Sequence, residues 1–90
     1  MLVVKLERYT FKDDPEWVIV EENIPLGTIY FILGQASNMT IVNEGLKKQR
    51  IIDVYMVTRD GDNQAGWLPV DVFSEPIAVV ESWQKSTSIN

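Results

Sequence analysis

Apolar residues in this chain recur with the two-residue period of a strand, and no segment sustains the 3.6-residue period of an amphipathic helix. Leu2, Val4 and Leu6 alternate with Lys5 and Glu7, which predicts a first strand over 2–9. Six further strands follow from short β-branched or aromatic runs: 17–20, 27–33, 39–42, 50–58, a strand begun by Trp67 and Leu68, and 77–83. Between them lie clusters at 12–16, 21–25 and 34–38 that draw on Asp, Asn, Ser, Gly and Pro, residues that turn a chain cheaply. The pattern predicts an all-β domain with little helix.

The stretch from Ile51 to Phe73 says most about topology. Almost every residue from Ile51 to Thr58 is β-branched, aromatic or otherwise apolar, which suits a central strand on a half-buried pleated surface. Asp60, Gly61, Asp62 and Asn63 tolerate φ > 0 or hydrogen-bond their own backbone, so 59–64 reads as a hairpin turn. Gly66 is expected to admit a second backbone at close range. Pro69 removes a ladder donor, so regular pairing stops there and the chain turns, as a one-turn 3₁₀ piece at Val70 to Phe73.

Gly66-Trp67-Leu68-Pro69 followed by Val70-Asp71-Val72-Phe73 resembles the Gly-aromatic-aliphatic-Pro corner and short 3₁₀ turn that close Src-homology 3 (SH3) domains. Tyr9-Thr10-Phe11 resembles the aromatic-x-aromatic step at the start of that fold, and Ile24 to Ile32 resembles its diverging turn leading into an apolar strand. The likeness in order spans Tyr9 to Phe73. It implies a small SH3-like barrel of five to seven short antiparallel strands over 1–83, with a flexible tail at 84–90.

SH3 domains that grip a polyproline helix use an aromatic groove, with a Trp near the start of the strand before the hairpin and a Tyr in the closing turn. Here Ile51, Ile52 and Val54 stand in the first region and Val72 in the second. Tyr9, Phe11 and Pro69 carry over from the resemblance, and Trp67 is expected beside them as a surface aromatic. These four form the expected partner-binding patch, while Trp17 is assigned to the core. Without the central Trp, Pro-rich peptides are expected to bind weakly.

Composition narrows the chemistry. Ninety residues at 46% hydrophobic content can bury one core, which sets the limit at a single domain. The chain has no Cys and no His, so disulfides, thiolate nucleophiles, the Ser-His-Asp arrangement and the commonest transition-metal ligands are all excluded. No two carboxylates are pinned by context into a catalytic geometry, and the chain is read as non-enzymatic, with no cofactor and no metal. Asp60, Asp62, Gln64 and Asp71 are spaced faintly like a Ca²⁺ loop, but Ala65 stands where such a loop needs Gly, and a hairpin turn is the better reading. No apolar run approaches the roughly 20 residues that cross a bilayer, and Met1 to Arg8 lacks a basic leader, so a cytoplasmic protein is expected.

Charge is unevenly spread. Residues 1–27 carry three bases against six acids, residues 51–81 one against six, and residues 44–50 three against one. Three cations in a hairpin loop on a body of net charge −5 are a weak nucleic-acid footprint, and direct nucleic-acid binding is not expected. Asp13, Asp14, Glu16, Glu21 and Glu22 form a candidate acidic face.

Two functions of different class suit these observations. One is a protein-interaction module that docks a partner, or a second copy, through an exposed aromatic patch or an edge strand. The other is a small acidic inhibitor or decoy, of the sort phage and mobile elements carry, occupying a basic site on a host nucleic-acid-handling protein.

Overall fold

The computed structural model describes residues 1–59, 62 and 64–79. Its strands are β1 (Leu2–Lys5), β2 (Thr10–Phe11), β3 (Asp14–Val18), β4 (Ile29–Asn43), β5 (Lys48–Arg59), β6 (Gly66–Pro69) and β7 (Ile77–Ala78), with a 3₁₀ turn at Val70–Val72. The fold is all-β, and that turn is the only helical piece among the described residues. Five strands form one antiparallel sheet in the order β6-β5-β4-β1-β7, and β2 pairs with β3 as a separate ribbon. Among the described residues the sheet does not close on itself: β6 and β7 are its two edges, and no pairing among those residues joins them. Trp83, the tail at 84–90, the end of the strand expected at 77–83, and the turn residues Asp60, Gly61 and Asn63 lie outside the described residues.

The largest departure from the sequence reading is β4. The strands expected at 27–33 and 39–42 are one fifteen-residue strand, and the turn expected at 34–38 does not occur. Each turn signal is absorbed as a bulge. The register with β5 slips between Ile32 and Gly34 and again between Ala36 and Met39, adding one residue to β4 each time. At the second bulge Asn38 adopts φ 58°, a conformation Asn tolerates better than most residues, and its N–H donates to Asp53 Oδ1 at 3.4 Å. Turn-forming residues therefore bend a continuous strand. The reversal comes later, at 44–47, where Lys47 N–H donates to the Glu44 carbonyl at 3.2 Å and Leu46 N–H to Asn43 Oδ1 at 3.0 Å.

β4 and β5 thus make a long hairpin whose distal rungs, Met39↔Ile52 through Asn43↔Lys48, extend past every other strand of the sheet. The molecule measures 58 × 27 × 24 Å, and its radius of gyration of 15.4 Å exceeds the roughly 12 Å of a compact chain this long. We call this extension the arm.

The main core is built by alternation. Val4 on β1, Tyr30 on β4, and Tyr55 and Val57 on β5 share one face and meet Leu6, Val20, Val72 and Phe73. The Phe73 ring is edge-on to Tyr30 at 5.1 Å between centroids and tilted to Tyr55 at 6.1 Å, arrangements that suit the ring quadrupoles. The corner after Pro69 seats this core. Val72 carbonyl accepts from Glu7 N–H at 2.8 Å, Ser74 N–H donates to the Lys5 carbonyl at 2.9 Å, and Leu6 bridges to Phe73. Gly66 does not serve as expected, because a Cβ there would meet nothing within 4 Å and no second backbone crowds it. Gly27 is the glycine the fold requires. It holds φ +90° in the 21–28 turn, from which its N–H donates to the Leu6 carbonyl at 2.7 Å.

Candidate functional site

The four residues of the expected patch do not form one exposed surface. Phe11 is buried, with only 1% of its surface exposed, edge-on to the buried Trp17 at 5.2 Å. Pro69 is also buried, while Tyr9 is half-buried against the core and donates its hydroxyl proton to the Ile24 carbonyl at 2.6 Å. Only Trp67 faces outward, 42% exposed. Leu68 packs on the core, so strand alternation puts Trp67 on the opposite face, across the ladder from half-buried Met56.

Phe11 and Pro69 do meet, in a shallow cavity of about 250 Å³ lined also by Arg50, Ile52, Asp53, Val70 and Asp71. Its aromatic face is already taken. The Arg50 guanidinium lies 4.1 Å from the Phe11 ring centroid, a cation–π contact, and donates to both oxygens of Asp13 at 2.8 and 3.3 Å. Two rungs further out on the same arm face, Lys48 Nζ donates to Asp14 Oδ2 at 2.9 Å. The β2–β3 ribbon therefore lies against the inner face of the arm. Asp71 in the 3₁₀ turn holds it from the other side, accepting Lys12 N–H at 2.7 Å.

These contacts set the local protonation. The hydrogen bond from Arg50 holds the Asp13 carboxyl below its usual value of 3.8, and the same bond holds Arg50 more firmly charged. Lys48 is likewise pushed up by Asp14. Both pairs are open to water, so they orient the ribbon more than they stabilise it. Of the candidate acidic face, Asp13 and Asp14 are thus neutralised within the chain, while Glu16, Glu21 and Glu22 remain exposed.

A second cavity, about 330 Å³, opens between the end of β3 and the β5–β6 hairpin, with Ile19, Ile24, Val57, Arg59, Gln64 and Leu68 among its walls. Thr58 Oγ1 donates to the Gln64 carbonyl at 3.1 Å and Gln64 N–H to Asp62 Oδ1 at 3.1 Å, which ties the turn side of this cavity together. Among the described residues no three His, Cys, Asp or Glu side chains stand together as metal ligands, and no helix is long and apolar enough to cross a membrane. Asp60, part of the Ca²⁺-loop spacing, lies outside the described residues.

Sequence reasoning missed the outer face of the arm. Thr40 and Val42 on β4 and Gln49 and Ile51 on β5 all point away from the ribbon, with Val42 61% and Ile51 68% exposed. Composition makes Ile51 part of a central strand, and its exposure arises only because β4 and β5 outrun the strands beside them. No protein family, curated protein or solved structure matches the chain.

Proposed function

We propose that this chain is a non-enzymatic protein-interaction module of SH3-like topology that docks a partner at edge strand β6 through Trp67. One observation carries the reading: the most exposed of the described Trp side chains sits on a strand whose far edge has no neighbour among the described residues. Trp is enriched in interface hot spots because it buries a large rigid surface, and a free strand edge offers backbone donors and acceptors to an extended segment. Trp67, the one outward-facing residue of the expected patch, and the edge strand both lie on β6.

The SH3-like reading is supported by element order. A first strand, a ribbon and diverging turn, two long paired strands, a short strand ending in Pro, a 3₁₀ turn and a closing strand follow one another as the resemblance implies. The arm is the part that exceeds it. Polyproline recognition is not proposed, because no Trp stands at 51–54 and Arg50 occupies the face of Phe11.

The acidic-decoy reading keeps only Glu16, Glu21 and Glu22 as unpaired candidates, and it ranks second for that reason. Immobilised wild-type chain and Trp67→Ala, each exposed to host lysate at low and high salt, separate the two. A partner retained at high salt and lost from Trp67→Ala supports the interaction module. A partner that dissociates as salt rises and still binds Trp67→Ala supports the decoy.

A further inference from the structure

We infer that the arm is a dimerisation element, in which the outer edge of β4 pairs antiparallel with the same edge of a second copy about a two-fold axis near Ile41. This surface is distinct from the β6 face and does not depend on what binds there.

The arm is structurally incomplete alone. Over the five rungs from Met39↔Ile52 to Asn43↔Lys48 it is a two-stranded ribbon, and ribbons of two strands are stabilised by a third strand. Its inner face is covered by β2–β3 through Arg50 and Lys48. Its β4 edge has no strand beside it among the described residues, because β1 pairs with β4 only at 29–31.

The two edges of the arm differ in a way that selects the occupant. On the β5 side Lys48 and Arg50 are already held by Asp14 and Asp13 of the β2–β3 ribbon, so a second copy pairing there would have to accommodate those two ion pairs. Beyond the bulge that ends at Met39, the β4 edge has no charge, no Pro and no Gly as far as Asn43, and three of the five residues from Met39 to Asn43 are β-branched. It lies at the end of the longest uncharged run in the chain, the 21 residues from Asn23 to Asn43. For a body of net charge −5, this is the edge on which two copies can meet without repulsion.

Antiparallel pairing centred on Ile41 places Ile41 opposite its own counterpart on the inner face and Thr40 opposite Val42 of the other copy on the outer face. The outer-face row then continues across four strands, from Ile51 and Thr40 of one copy to Val42 and Gln49 of the other, so that exposed Val42 is covered on its free side by Thr40 of the second copy.

The test uses complementary charge on the full chain. Thr40 and Val42 are exposed, so Thr40→Lys with Val42→Lys in one variant, and Thr40→Glu with Val42→Glu in another, leave the fold intact, as circular dichroism checks. In sedimentation velocity the wild type is expected to run at twice the monomer mass, each variant alone as monomer, and the equimolar mixture of the two variants as dimer again. Gln49→Lys, on the β5 strand, is expected to dimerise like the wild type. A wild type that stays monomeric at its highest soluble concentration, a Lys variant that dimerises as well as wild type, or a mixture that fails to recover the dimer would each overturn the inference. None of these outcomes bears on whether Trp67→Ala loses its partner, so the two readings fail independently.

Discussion

The guanidinium of Arg50 stacks on Phe11 at 4.1 Å while donating two hydrogen bonds to Asp13, and these two residues stand 39 positions apart, on the arm and on the β2–β3 ribbon. Through this contact and the Lys48–Asp14 pair beside it, the locally basic stretch at 44–50 and the acidic stretch at 13–14 meet. Two features that look like separate binding surfaces along the sequence are one internal contact.

Arg50→Ala should therefore destabilise modestly, by about 0.5–1 kcal/mol from the lost ring contact. Arg50→Lys should recover only part of this, because an ammonium cannot present the planar fork that spans both Asp13 oxygens. Urea denaturation of the three proteins measures the order.

The pH response follows from Asp13. Its folded-state value is lowered below 3.8, so stability from the pair is fully present above 3.8 and is lost as pH falls through the lower folded value. A carboxyl titration by NMR should place the Asp13 midpoint below 3.8 in the wild type. In Arg50→Ala it should move up toward 3.8.

Phe11 and Gly66 should separate cleanly. Phe11→Ala removes a ring that is 1% exposed and is expected to cost about 3–5 kcal/mol. Gly66→Ala meets nothing within 4 Å and should stay within about 0.5 kcal/mol of wild type. Thermal melts of the two variants give the comparison.

Gly27→Ala tests backbone strain without steric contact. An added Cβ would touch nothing within 4 Å, yet φ +90° is a conformation L side chains rarely adopt. A loss of about 1–2 kcal/mol in chemical denaturation is expected from the backbone alone.

Trp67→Ala should leave the melting transition within about 1 kcal/mol of wild type, because the side chain is 42% exposed, while abolishing partner capture. If the variant unfolds instead, Trp67 is part of the fold's support and the β6 docking surface loses its anchor.

Strand content was legible because the two-residue period is a local property. The run from Ile51 to Thr58 lies within β5, the Pro69 corner does end β6, and the 3₁₀ turn follows at Val70–Val72. Trp17 is buried and Trp67 is exposed, although Trp67 does not share a surface with Phe11 and Pro69. The resemblance puts Phe11 in an exposed aromatic groove, and nothing near it in sequence announces that Arg50 covers it.

The sequence by itself determined the class of this protein: strand periodicity, a Pro-terminated corner, and the absence of Cys and His are properties of composition and near neighbours. The tertiary structure alone decided which turn signals reverse the chain and which charges are free. Gly34 to Asn38 could have closed a hairpin, but a bulge lets the same residues stay in a ladder with β5, and the added hydrogen bonds and side-chain partners of a continuous strand outweigh a local turn preference. Asp13 and Arg50 likewise acquire a shared role only when β4–β5 folds back beside β2–β3, because Coulomb and cation–π contacts depend on distance in space and not along the chain.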